Sequence, residues 1–355
     1  MIDWILAEKI ASYVAGTGDA PAPRADLNAL AAESERRVTA YTGLSPTRPL
    51  PPPEGIGRRE WIQTNIKAMR ALLDPVLDRA SGTLSGPLRP AMQLMLGFVV
   101  TTEVAVVLGY LAQRVLGQYE LVLLDESTEE MPPRLLFVLP NLGQAVENFG
   151  AQEGEFMTWV ALHEVTHAVQ FTGVPWLHGH LAGLVGELLS KAELRMDGSR
   201  KLRLPSAEQA RHALSALRSG DLVSLFTSRA ERETFDRVQA VMAVVEGHAE
   251  HVMDAVAPDL LPSLPKLREA LDRRRKSQSG LSRLFAKLLG LELKLRQYEQ
   301  GKAFCDAVVQ RAGTTGLAHV FSGPEALPSL AELREPDTWL RRVGLDGGLP
   351  ERASA

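Results

Sequence analysis

His163-Glu164-Val165-Thr166-His167 is an H-E-x-x-H run inside a stretch with helical periodicity. On a helix, positions i and i+4 lie one turn apart on the same face, so both imidazoles can reach a single metal ion. The expected occupant is zinc, Zn2+, which takes neutral imidazole nitrogens; a catalytic zinc keeps three protein ligands and one open position for water. Glu164, one residue after the first histidine, would stand beside the ion rather than on it, where its carboxylate can take a proton from that water as general base. The chemistry this pattern implies is metal-assisted hydrolysis.

Five residues with three fixed can arise by accident, and the flanks argue against that. Phe156, Val160, His163, His167 and Phe171 recur at spacings of three and four, which describes a helix face turned inward. Two histidines and a glutamate on such a face are costly to bury unless something binds them.

A third ligand must come from elsewhere in the chain. The long metzincin pattern needs a glycine and then a histidine at positions 170 and 173, where this chain has Gln170 and Gly173. The best candidate is Glu246, in Val244-Val245-Glu246-Gly247-His248-Ala249-Glu250-His251 on a second helical pattern. Glu246 shares a face with Met242, Ala249 and Met253, an apolar stripe that turns it toward the core. Gly247 and Ala249 keep that helix slim and suggest close approach to the first one, although a helical Gly costs about 1 kcal/mol against Ala. Glu250, one turn after Glu246, could accept the free ring N–H of a ligating histidine and so fix its tautomer. His248 and His251 are rivals for the third ligand position, but helical geometry points them away from Glu246.

H-E-x-x-H followed far downstream by E-G-x-A resembles the gluzincin branch of the zincins, in which two His and one Glu hold the metal. More closely, the run from His163 to Phe171, then Glu246-Gly247-His248-Ala249-Glu250 with Val252-Met253-Asp254, then Lys294-Leu295-Arg296-Gln297-Tyr298 with Gly301, resembles an actinobacterial family called zincin-like metallopeptidases type 2. Many of its members carry a label linking them to biosynthesis of a deazaflavin coenzyme. The similarity spans roughly residues 90 to 345. It implies a hydrolase and brings no substrate with it, and no residue here would carry the coenzyme link.

The elements that must position these residues are mostly helical. Helix-like periodicity covers residues 3–15, 25–42, 59–80, 89–116, 155–171, 206–218, 229–256, 265–276, 281–311 and 327–342, with Pro and Gly gathered between them. Strand signals are few, at 119–124 and 134–140, just before the metal helix. In a zincin-like layout such a small sheet packs on that helix and its edge can pair with an extended peptide; alternatively the hairpin only covers the core. The expected fold is therefore mainly α with a small β-sheet, built on a zincin-like core. Residues 1–45 read as an N-terminal helical arm, 46–58 as a Pro-rich linker, 59–345 as the catalytic domain and 346–355 as a tail.

Composition agrees with a globular enzyme. The 355 residues are 45% apolar, enough for a large core, and a net charge of −4 gives no reason to expect nucleic acid. The start Met1-Ile2-Asp3-Trp4 lacks a basic segment followed by an apolar run, so neither a signal peptide nor a location outside the cytoplasm is expected. The apolar stretch from Met92 to Ala112 is broken by Gln93, Gly97 and Glu103 and reads as a buried helix, not a membrane span. The single cysteine, Cys305, lies in an apolar helical pattern and reads as a packed thiol.

Other residues carry less. Tyr298 is a candidate to stabilise an oxyanion, against the commoner role of a tyrosine bonded to backbone. His178 and His180 fall in what reads as a loop after the metal helix, bordering the cleft or in solvent. Arg273-Arg274-Arg275-Lys276 reads as a solvated helix end. The whole reading is a zinc hydrolase acting on a peptide or small amide, with His163, His167 and Glu246 as ligands and Glu164 as base. A non-enzymatic protein that keeps the metal for stability or partner binding is the alternative, and hydrolysis of a non-peptide amide or ester is a third possibility that sequence cannot separate.

Overall fold

The computed structural model describes residues 2–16, 24–82, 89–120, 132–197, 229–262 and 291–346. In chain order these form α1 (Trp4–Ala15), α2 (Leu27–Thr42), β1 (Pro53–Ile56), α3 (Arg58–Gly82), α4 (Arg89–Ala112), β2 (Gly117–Tyr119), β3 (Leu135–Val138), α5 (Leu139–Phe149), α6 (Glu153–Gly173), α7 (Pro175–Asp197), α8 (Arg229–Val256), α9 (Leu291–Ala318), α10 (Leu330–Arg334) and α11 (Pro336–Arg342). The chain is mainly α with a small sheet, as its periodicity predicts. The helical patterns at 206–218 and 265–276, the basic run at 273–276 and the start of the pattern at 281–311 lie outside the described residues.

The sheet has the order β1-β3-β2, with β1 parallel to β3 and β2 antiparallel to it. All four residues of the central strand β3 are buried. Leu135 and Phe137 face a core shared with α2, α5, α6 and the end of α8, while Leu136 and Val138 face a core shared with α1, α3 and α4. A strand buried on both faces reads as a continuous apolar run, and Leu135-Leu136-Phe137-Val138 is one. Pro140 sits in the first turn of α5, where its missing N–H costs nothing. Of the stretch 119–124, only Tyr119 belongs to a strand among the described residues; β2 begins earlier, at Gly117.

The N-terminal helices pack on the rest. Asp26 caps α2 by accepting from the N–H groups of Asn28 and Ala29, and Gly43 ends it in the left-handed region. Along its length α2 contributes Leu27 and Val38 to the core that contains Phe156, Val160 and Val165 of α6. Thr47 ties the following segment to the last turn of α6, its N–H and hydroxyl both donating to the Thr172 carbonyl. The Pro-rich stretch that reads as a linker also supplies β1. On the other side, α1 lies so close to α4 that a Cβ at Gly109 would stand 2.6 Å from the Ala11 carbonyl oxygen.

Helix α4 departs from its sequence reading as a buried helix. Ala105, Leu108 and Ala112 are buried, whereas Leu94, Met95, Phe98 and Val99 are exposed. Among the described residues no helix is long and apolar enough to cross a membrane. Asn141, buried at the start of α5, closes the C-terminal end of α4. Its amide donates to the carbonyls of Ala112 and Val115 and its oxygen accepts from Arg58.

A third core, of α7, α8, α9, α10 and α11, centres on Phe304, Trp339 and Val244. Cys305 belongs to it, fully buried, and burial pushes its thiol pKa up, as a packed thiol requires. Helices α8 and α9 cross with backbone in contact: a Cβ on Gly247 would collide with the backbone of Gly301, and one on Gly301 with the Ala243 carbonyl. The slim face of α8 therefore serves its approach to α9, where the sequence reading assigned it to the metal helix.

Candidate metal centre

Helix α6 passes through the core with most of its length enclosed, and along one face it carries polar side chains instead of apolar ones. Glu164, His167 and Gln170 are buried there. The i to i+4 spacing brings His163 and His167 edge to face, with ring centroids 4.6 Å apart and their Nε2 atoms 3.2 Å apart. From α8, Oε2 of Glu246 comes within 3.8 Å of His163 Nε2 and 3.5 Å of His167 Nε2. One ligand atom from each of the three residues lies within 4.8 Å of the others.

These separations suit a shared ion. Ligands ~2.1 Å from a tetrahedrally coordinated zinc stand ~3.4 Å from one another. The observed 3.2, 3.5 and 3.8 Å bracket that value. Two imidazole nitrogens and one carboxylate oxygen are a donor set that zinc accepts. The side chains of His163 and Glu246 are 27% and 23% exposed against 11% for His167, so the cluster opens to solvent on the His163–Glu246 side.

Glu164 stands outside this triangle. Its Oε2 accepts from the backbone N–H of Tyr119, 3.0 Å away on the sheet edge. The room for it comes from Gly117, where a Cβ would lie 2.6 Å from Cγ of Glu164. On either side of β2, the Leu116 carbonyl accepts from the Val138 N–H and the Glu120 N–H donates to the Arg134 carbonyl, so the backbone groups of residues 117 and 119 point outward. The outward N–H of Tyr119 is therefore engaged by Glu164. The Tyr119 ring stacks on Phe171, 6.2 Å between centroids, which pins the strand edge to the metal helix.

Burial and neighbouring charge set the protonation of these groups. Burial holds His163 down at about 4, and the charge on His167 adds to this. Burial opposes protonation of His167 too, but the Glu246 carboxylate outweighs it and raises the pKa to about 9. Burial raises Glu164 to about 7, Glu246 working in the same direction against His167 and the Tyr119 N–H.

The rivals for the third ligand are occupied elsewhere. His251 places Nδ1 2.6 Å from Asp306 and Nε2 2.8 Å from the Tyr41 hydroxyl. His248 packs edge-on against Phe321, 4.9 Å between centroids, and its Nδ1 lies 2.9 Å from Nε2 of Gln170. Both are buried.

The group behind His167 also differs from the sequence reading, which placed Glu250 behind a ligating histidine. The outer nitrogen of His167 meets Gln170 Oε1 at 2.9 Å, and that of His163 lies 3.3 Å from the Met253 sulfur. Gln170 was legible in principle, because positions 163, 167 and 170 share one helix face. Gly117 and Tyr119 were not, because nothing local ties an edge strand to a particular helix residue. Tyr298 lies on α9, but its side chain is outside the described residues. His178 and His180 fall in the first turns of α7 and not in a loop; His180 packs on Trp176 and lines a cavity of about 550 Å³ with Arg237 and Arg342.

Two imidazoles and a carboxylate from crossing helices, with a second glutamate alongside, define a protein with a metallohydrolase-like centre in a mainly helical fold. The chain belongs to the zincin-like metallopeptidase family, whose sequence profile matches residues 2–340. It is similar to a crystal structure of a candidate hydrolase with a novel fold from Chloroflexus aurantiacus, with 29% identity and a TM-score of 0.69 over 98% of this chain and 100% of that one. No curated protein matches the chain.

Proposed function

We propose that this protein is a zinc-dependent hydrolase that cleaves a peptide or other amide bond. The observation that carries the reading is the separation of roles at one site: three donors converge within 4.8 Å, and Glu164 is held beside them by the sheet edge. His163, His167 and Glu246 would hold the ion. Bound zinc polarises a carbonyl and makes water a nucleophile near neutral pH.

Glu164 supplies the proton chemistry. Its Oε2 accepts from the Tyr119 N–H, which fixes the carboxyl beside the three donors. Its burial favours the protonated form, which suits a group that must first take a proton and then release it to the leaving amine. The opening beside His163 and Glu246 is where substrate would enter.

The test is Glu164→Gln, which keeps the shape and still accepts from Tyr119 while removing the base. Zinc content should stay at one per chain, and hydrolysis of any substrate found by screening peptide and amide libraries should fall about 10²–10⁴-fold. A variant that keeps both zinc and the full rate would sink the hydrolase reading and leave a non-enzymatic role for the metal as the better account.

A further inference from the structure

Gln170 lies one turn beyond His167 and is fully buried. Its side-chain amide reaches both helices of the metal centre. Oε1 is 2.9 Å from His167 Nδ1, and Nε2 is 2.9 Å from the Val245 carbonyl oxygen and 2.9 Å from His248 Nδ1.

These contacts have a fixed sense. A backbone carbonyl can only accept, so the amide nitrogen must be the atom that faces Val245. The amide oxygen is then turned to His167, where it needs a proton on Nδ1. With Nδ1 protonated, the nitrogen of His167 free to bind metal is Nε2, which is the one facing His163 and Glu246. The second amide hydrogen meets His248 Nδ1, which must accept it, so His248 carries its own proton on Nε2. The whole pattern follows from one carbonyl, and that carbonyl belongs to the residue before Glu246.

We propose that Gln170 is a positioning residue of the metal centre: its amide, oriented by the Val245 carbonyl, sets the tautomer of His167 and ties α6 to α8 at the third ligand. The proposal rests on the reading that His163, His167 and Glu246 hold zinc. An alanine at 170 would leave the His167 ring free to choose either tautomer, would remove the tie to the Val245 carbonyl and would leave His248 Nδ1 without its donor. A side chain that only filled space would constrain neither ring.

Two measurements test this. In zinc-loaded, ¹⁵N-histidine-labelled protein, two-bond ¹H–¹⁵N correlations should show His167 metal-bound through Nε2 with its proton on Nδ1, and His248 protonated on Nε2. The opposite tautomer at either residue overturns the proposal, and this measurement needs no variant to fold. Gln170→Ala should weaken zinc binding about 10–100-fold, read by competition with a chelator. Zinc affinity unchanged in Gln170→Ala, whatever its thermal stability, overturns the proposal while leaving the metal reading intact. Wild-type protein that takes up no stoichiometric zinc overturns the metal reading, and the proposal with it.

Discussion

The backbone N–H of Tyr119 donates to Glu164 across the gap between β2 and α6, and Gly117, two residues earlier on the same strand, leaves the space in which that carboxylate lies. The sheet edge thus positions the candidate base directly.

Gly117→Ala should therefore act on chemistry more than on metal. A Cβ at that position would stand 2.6 Å from Glu164 Cγ, so the carboxylate must shift, while His163, His167 and Glu246 are untouched. Misplacement of a catalytic group by about 1 Å can cost ~10²-fold. A fall in kcat/KM of that order with zinc still at one per chain is expected; metal analysis alongside kinetics would show it, and an unchanged rate would detach Glu164 from β2.

The ligand set makes a ranked prediction. His163→Ala, His167→Ala and Glu246→Ala should each lose stoichiometric zinc on dialysis. His251→Ala and His248→Ala should keep it, because those rings bond to Asp306, Tyr41 and Gln170. Both should still be less stable, by roughly 1–3 kcal/mol for a buried partner left unpaired. Zinc lost from His251→Ala but kept by Glu246→Ala would reverse the assignment.

The raised pKa of Glu164 implies a pH effect on the metal-free protein. Its folded value of about 7 lies above the ordinary 4.5, so the folded state holds this proton more tightly than the unfolded chain does. The resulting stability is fully present below pH 4.5 and is lost as pH rises toward 7. Metal-free Glu164→Gln has no such loss. Relative to wild type it should be more stable at pH 8 than at pH 5, by up to about 3 kcal/mol, in urea unfolding at the two pH values. An identical difference at both would mean the carboxyl titrates normally.

The α8–α9 crossing should tolerate no side chain. Cβ atoms at Gly301 or Gly247 would strike backbone of the partner helix, and backbone has no rotamer through which to escape. Gly301→Ala should cost about 3 kcal/mol or more. It should also weaken zinc, because Glu246 is carried on the displaced helix. Thermal melts with and without zinc would measure both effects, and a melting temperature within a degree of wild type would contradict the close crossing.

Much of the centre was legible in the chain because it is local. The pair His163 and His167 shares a helix face by periodicity alone, and Glu246 stands out because an apolar stripe on α8 turns it inward. Leu135-Leu136-Phe137-Val138 reads as a buried strand for the same kind of reason, its composition leaving no polar face. What the tertiary structure decided depends on contacts between elements far apart in sequence. Which group stands behind His167 was settled by Val245, whose carbonyl orients Gln170. Which helix Gly247 serves was settled by Gly301, since a glycine shows that something comes close but not what. The exposed face of α4 at Leu94, Met95, Phe98 and Val99 was misread as core because hydrophobicity measures a preference for burial, while only packing determines whether a partner is there. Periodicity encodes the face a residue shares with its own helix; the partner across that face is a property of the folded chain.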